Sequence, residues 1–293
     1  MEAPSAPPAI DIDPQGTLLP GRVHQVDFGA SLCTFLWSAA ALVVSIGLQF
    51  AQPTLRPFFV NDANHWYLHT DETVPYYIVL LAGFVLLLPI IAFYDFLVFV
   101  QRESMVVALN HVLGYVSAFG WNALTTQYIK LWAGSLRPDF GSRCFGNGKL
   151  PPLTYSAGVV RNNFECTTDN QQLLNGGRMS FVSGHTSTAM VFAVYFAVFF
   201  CRRAQMLPES RLRWFKMNLM YFSSFLALIL AILVGVSRIV DNRHFPADVV
   251  GGAMVGTGFA LGLFFLFEGH VRFTPIRKHQ PLWTNGLRQE PPV

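Results

Sequence analysis

Residues 218–267 read NLMYFSSFLALILAILVGVSRIVDNRHFPADVVGGAMVGTGFALGLFFLF. Two apolar runs, Asn218–Val236 and Ala247–Phe267, are each long enough for a helix to cross a hydrocarbon core of roughly 30 Å. Between them lies a polar island, Ser237 to Asp248, that holds Arg238, Asp241, Arg243 and His244. Pro246 suits the first turn of a helix, where its missing N–H costs nothing. Phe245, standing before a proline, is biased away from helix. His244 is therefore expected on a loop, with Asp248 one turn into the helix that follows. A carboxylate there can hold one imidazole nitrogen and leave the other free. Arg238 and Arg243 make the place attractive to an anion. By itself the island has two readings: a histidine prepared for work on a phosphate-like group, or a charged loop between two helices.

Four further runs resemble the flanking ones: Phe28–Phe50, Val74–Val100, Ser104–Tyr128 and Thr186–Cys201, the last extended at its start. The fold class expected is all-α, a polytopic membrane protein with six transmembrane helices and a kink at Pro89. Composition agrees, since 52% of the 293 residues are hydrophobic, only 13% are charged and 27 are Phe. A net charge of +3 gives no reason to expect nucleic acid as a partner. Residues 1–27, rich in Pro and small residues, read as a mobile tail, and the start of the chain lacks the basic region of a signal peptide. Residues 28–268 read as one membrane domain and 269–293 as a basic tail. The aromatic loop with Phe58, Phe59, Trp66 and Tyr67 reads as an interface anchor. Asp95, Asn110, His111 and Asn122 lie within apolar runs and read as hydrogen-bonding partners between helices.

Charge sets the expected orientation. Arg202, Arg203, Arg211, Arg213 and Lys216 lie between the fourth and fifth runs. Arg272, Arg277, Lys278 and Arg288 lie in the C-terminal tail, and Arg102 in the turn after the second run. The positive-inside rule puts these segments and both termini in the cytosol. Parity then puts loops 129–184 and 237–247 together on the opposite, extracellular or lumenal face. Cys144 and Cys166 share the larger loop, in a compartment that permits disulfides. A bridge between them and two separate thiols both remain open. No cysteine or histidine spacing suggests zinc.

The larger loop opens on Lys130, seven residues before Arg137-Pro138, and closes on Ser183-Gly184-His185 at a helix start. Lys130 could be a snorkelling anchor. Arg137, extended because proline follows it, can aim its guanidinium at an anion. Gly184 lets backbone approach a ligand, and free N–H groups at a helix start favour phosphate oxygens.

Taken together, Lys130-x6-Arg137-Pro138, Ser183-Gly184-His185 and Ser237-Arg238-x5-His244-x3-Asp248 resemble the three-part signature of the type 2 phosphatidic acid phosphatase superfamily. The run Arg137 to Phe145 is similar to its eukaryotic lipid phosphate phosphatase branch. The second motif usually begins with proline, and here that position is Val182. The resemblance implies that His244 attacks phosphorus to form a phosphohistidine and that Asp248 orients its ring. It implies that His185 protonates the leaving oxygen and then activates water. Lys130, Arg137, Ser183, Gly184 and Arg238 would bind the remaining oxygens. Arg243 and Asp241 fall between the fixed positions and read as loop or rim residues.

No carboxylate cluster suited to Mg²⁺ accompanies these motifs, so no metal or other cofactor is expected. The expected partners are a membrane phospholipid substrate and the bilayer, with assembly into a homo-oligomer left open. Phosphatidate is the leading substrate, with lysophosphatidate and diacylglycerol pyrophosphate beside it. A sphingosine-phosphate or polyprenyl-diphosphate phosphatase of the same superfamily, or a non-catalytic lipid-binding relative, are the alternatives.

Overall fold

The computed structural model describes residues 22–59, 62–101, 105–147, 149, 166–207 and 209–274. Most of the two expected tails, Arg102, Arg277, Lys278 and Arg288 lie outside the described residues. The chain forms a helical bundle. Its members are α1 (Phe28–Leu48), α2 (Tyr76–Leu81), α3 (Leu88–Gln101), α4 (Met105–Ala133), α7 (Gly184–Gln205), α8 (Arg213–Val240) and α9 (Pro246–Gly269). Two short helices, α5 (Phe140–Phe145) and α6 (Gln171–Gly177), lie in the loop between α4 and α7. A π-helical segment, Ala82–Leu87, joins α2 to α3. The disturbance expected at Pro89 thus takes the form of a widened turn just before it.

Strand β1 (Arg22–Val26) pairs antiparallel with β2 (Val271–Thr274). Residues 22–26 are therefore not part of a loose tail, as expected, but half of a ribbon that ties the start of the bundle to its end. Asp27 continues the tie by donating its N–H to the His270 carbonyl at 3.0 Å. It also caps α1, its carboxylate accepting from Ala30 N at 3.0 Å.

Among the described residues, five helical stretches are long and apolar enough to cross a membrane: Phe28–Leu48, Tyr76–Asp95, Gly184–Gln205, Arg213–Val240 and Pro246–Gly269. The sixth expected crossing falls on α4, which has ample length but more polar residues. The cause is its position. Asn110, His111 and Asn122 on α4 are buried against neighbouring helices, where they find polar partners rather than lipid. α8 shows the opposite pattern. Its Trp214, Phe215, Leu219, Phe222, Phe225, Ile229 and Leu233 are all exposed. An apolar face of that extent belongs in lipid, not water.

α7 is the central post, buried along most of its length. Tyr115 of α4 stacks on its Phe192 with centroids 5.3 Å apart, and Tyr195 meets Phe264 of α9 edge-on at 5.3 Å. Gly252 and Gly256 let α9 lie directly on the start of α7. A Cβ at these positions would come within 2.5 Å of the Ser183 carbonyl oxygen and 2.2 Å of the Ser187 carbonyl oxygen.

The polar residues inside the helices join helix to helix, as expected. His111 Nδ1 lies 2.9 Å from Asp95 Oδ2, and its Nε2 lies 3.2 Å from Glu268 Oε1. Arg203 donates to Asp95 at 2.8 Å, and Asn110 donates to the Phe267 carbonyl at 2.8 Å.

A cap covers the other end of the bundle. Phe58, Leu136, Phe140, Cys144, Phe145 and Leu174 form its core, with Trp66 packed against them. Trp66 stacks on Phe145 at 5.7 Å. This corrects the expected anchor role for two of the four loop aromatics: Phe58 and Trp66 hold the cap together, while Phe59 and Tyr67 stay exposed. Cys144 and Cys166 form a disulfide that ties α5 to the chain leading into α6.

Candidate active site

The ends of four helices meet under the cap. Lys130 lies in the last turn of α4, Gly184 and His185 open α7, Arg238 lies in the last turn of α8 and Asp248 in the first turn of α9. Local chemistry sets each end. Ser183 caps α7, its Oγ accepting from Thr186 N at 3.4 Å and also from Thr186 Oγ1 at 2.9 Å. α8 ends at Val240, and Asn242 then takes a positive φ of 56°, a conformation asparagine tolerates better than most residues. The Arg238 carbonyl accepts from the N–H groups of Arg243 and His244 at 3.0 and 3.2 Å, which turns the loop back over the helix end.

Backbone hydrogen bonds join the three distant segments. Ser183 N donates to the Asp248 carbonyl at 2.9 Å. Ser180 N donates to the Ser135 carbonyl, and Arg137 N to the Gly177 carbonyl, both at 2.9 Å. All eight residues singled out from the sequence therefore lie on one connected framework.

His244 is buried, with Asp248 Oδ2 3.6 Å from its Nδ1. Ser180 Oγ lies 3.5 Å from the same nitrogen and donates to Asp248 Oδ2 at 2.6 Å. Phe245 N also donates to Asp248 Oδ2, at 2.9 Å. The carboxylate is thus held by two donors while it faces the ring, and Nε2 is the nitrogen left for other work. Burial pushes the imidazole well below the ordinary histidine range, and the charges of Arg137, Lys130, His185 and Arg238 add to that. His244 is neutral at physiological pH.

His185 Nε2 lies 3.4 Å from Arg238 Nη1 and 3.5 Å from Glu72 Oε2. Tyr76 meets the His185 ring edge-on at 5.1 Å. A Cβ on Gly184 would lie 2.9 Å from Lys130 Nζ, so the absent side chain is what lets the ammonium approach this backbone. Arg137 is partly buried; burial and then the neighbouring Arg143 push it down to about 10, which leaves it charged. Among the described residues nothing accepts from its Nε.

Asp241 and Arg243 are not rim residues, as expected, but buried ones. Asp241 accepts from Arg238 Nη2 at 2.7 Å, from Thr73 N at 2.9 Å and from the Thr73 hydroxyl. Arg243 donates to the Thr70 carbonyl and lies 3.9 Å from Asp139 Oδ2. Two of their partners, Thr70 and Thr73, belong to the segment before α2, to which sequence reading gave no part in the site. Glu72 in that segment and Ser180 are the site residues it missed. Ser180 stands three residues before Ser183 and could have been suspected from that proximity; Glu72 carries no comparable signal.

The arrangement offers a neutral imidazole, a second imidazole beside a guanidinium, and several cations directed at one place. It suits nucleophilic attack on an anionic centre. Comparisons with known proteins agree with that chemistry. A family model for the PAP2 superfamily matches residues 111–272. The chain is 32% identical to diacylglycerol pyrophosphate phosphatase 1 of Saccharomyces cerevisiae over 220 residues, covering 73% of this chain and 72% of that protein. It is 30% identical to lipid phosphate phosphatase 2 of Arabidopsis thaliana, covering 77% and 73% respectively. It is 30% identical to phospholipid phosphatase 1 of Rattus norvegicus, covering 71% and 74%. No solved structure matches. The family match takes in more than half of the 293 residues, His185, Arg238, His244 and Asp248 among them, and the chain belongs to the PAP2 superfamily.

Proposed function

We propose that the chain is an integral-membrane lipid phosphate phosphatase that hydrolyses phosphatidate to diacylglycerol and phosphate through a phosphohistidine. The observation that carries this is the neutral, buried His244, whose Nδ1 side is held by Ser180 and Asp248 while Lys130, Arg137 and Arg238 gather around it. The names of the relatives support a lipid phosphate as substrate.

In the first step His244 Nε2 attacks phosphorus and the ester P–O bond breaks. Its electron pair stays on the glycerol oxygen, which takes a proton from His185. Asp248 stabilises the positive charge that develops on the His244 ring. In the second step the now neutral His185 takes a proton from water. That oxygen attacks phosphorus, the P–N bond breaks and phosphate leaves. Acid–base catalysis of this kind contributes about 10²–10⁴-fold. Lys130, Arg137, Arg238, Ser183 and the Gly184 N–H meet the charge on the other oxygens.

The reaction is metal-independent on this reading. Among the described residues no three His, Cys, Asp or Glu side chains group to hold an ion, and side-chain cations face the phosphate instead. Residues 28–268 act as one domain that crosses the bilayer six times, α4 supplying the sixth crossing. The site faces the extracellular or lumenal side. Arg202, Arg211, Arg213 and Lys216, at the far ends of α7 and α8, support a cytosolic placement for that end.

Purified protein in mixed micelles with EDTA should release phosphate from phosphatidate. His244→Ala should abolish turnover, and Asp248→Asn should slow it less. Full activity in a folded His244→Ala protein would remove the nucleophile assignment. Strict dependence on added Mg²⁺ would remove the metal-free mechanism.

A further inference from the structure

Glu72 belongs to none of the three motifs, yet its carboxylate stands inside the site. Oε2 lies 3.5 Å from His185 Nε2 and 3.6 Å from Arg238 Nη1. Arg243, Lys130 and Arg137 also face it through their charge. The hydrogen bond from His185 holds its carboxyl down to about 2, against the partial burial that raises it. Glu72 is therefore an anion at every physiological pH.

The segment that carries Glu72 is pinned on both sides of it. Thr70 Oγ1 donates to the Asp241 carbonyl at 3.0 Å, and Arg243 donates to the Thr70 carbonyl. Thr73 donates to the Asp241 carboxylate from its N–H at 2.9 Å and from its hydroxyl. The strap cannot swing aside without breaking these bonds, two of them to a buried carboxylate. Only rotation of the Glu72 side chain can clear the cations.

We propose that Glu72 is a specificity-determining residue: an internal anion that competes with the phosphoryl group of the substrate for His185 and Arg238. This rests on the reading above, in which those two groups act on phosphate. A phosphoryl group must displace the carboxylate and then remain near it. The added repulsion disfavours headgroups that carry further negative charge beside the scissile bond. The site thus selects phosphomonoesters, such as phosphatidate, over pyrophosphate headgroups.

The test measures binding of inorganic phosphate by calorimetry, without turnover. Glu72→Gln should bind phosphate about tenfold more tightly than the unaltered protein. Its kcat/KM for diacylglycerol pyrophosphate should rise more than that for phosphatidate. Thr73→Val, which removes one of the bonds that pin the strap, should shift phosphate binding in the same direction by a smaller factor. A carboxylate that merely holds His185 and Arg238 in place would give weaker phosphate binding on substitution. Unchanged or weaker binding in a folded Glu72→Gln protein overturns the proposal. If that variant does not fold, Thr73→Val decides in the same way. Failure of the unaltered protein to hydrolyse phosphatidate would instead overturn the function proposed above, while the phosphate titration still reads Glu72.

Discussion

His244 is a base kept neutral by its surroundings, and that has a consequence for pH. In the unfolded chain the imidazole takes up a proton near pH 6.5, whereas in the fold burial and four neighbouring cationic groups resist it. The unfolded state thus binds more protons below that pH, so the contribution of this group to stability is complete above about 6.5 and declines as pH falls. Activity should follow the same logic. A pH–rate profile of kcat/KM should place the limb that reports His244 below the ordinary histidine value. A limb assigned to it by loss in His244→Ala, but lying at 6.5 or above, would contradict a buried neutral nucleophile. The histidines, Asp248, Lys130, Arg137 and Arg238 stood out in the sequence because the three motifs that hold them resemble a family signature, and the fold brings those motifs together. Asp241 and Arg243 were misread because burial of a charge depends on its partners. Apart from Arg238, those partners are Thr70, Thr73 and Asp139, which lie far away in the chain and form no pattern with them.

At the scale of the element, the contact between α7 and α9 sets the geometry of the site. It brings the cap of one helix against the first turn of the other, so that Ser183 and Asp248 share a hydrogen bond. The contact depends on two small residues. In Gly256→Leu the new Cβ would fall 2.2 Å from the Ser187 carbonyl oxygen, which is backbone and cannot rotate away. Overpacking of this kind costs about 1–3 kcal/mol. The substitution should lower the melting temperature in detergent and reduce kcat, because α9 carries Asp248. Unchanged melting and activity would show that the helices can separate without harm to the site. Apolar length revealed α1, α8 and α9, which face lipid on one side. It was a poorer guide to α4 and α7, because a helix surrounded by protein needs shape and hydrogen-bonding partners more than hydrophobicity.

At the scale of the whole molecule, the cap and the bundle are held by different means. The bundle has the membrane and an aromatic core. The cap has a small core and the disulfide between Cys144 and Cys166, which closes a loop of 22 residues in sequence separation. Loop closure of that length is worth about 3 kcal/mol. Cys166→Ser should therefore lower thermal stability, read as a lower melting temperature in detergent. An impermeant thiol reagent should label Cys144 in this variant from the non-cytosolic side; labelling from the cytosol would reverse the orientation proposed above. The sequence left this bridge undecided, since two cysteines in one loop do not say whether the fold brings them together.

The ribbon between Arg22–Val26 and Val271–Thr274 has a further consequence, for biosynthesis. The first strand to leave the ribosome must wait for the last one before it can pair. Until then the helix after Asp27 is anchored in lipid with its entry unlatched, and the insertion machinery can hold or reorient it while residues 27–270 are made. A nascent chain halted short of Val271 should leave that latch open, however completely the rest of the helices have assembled.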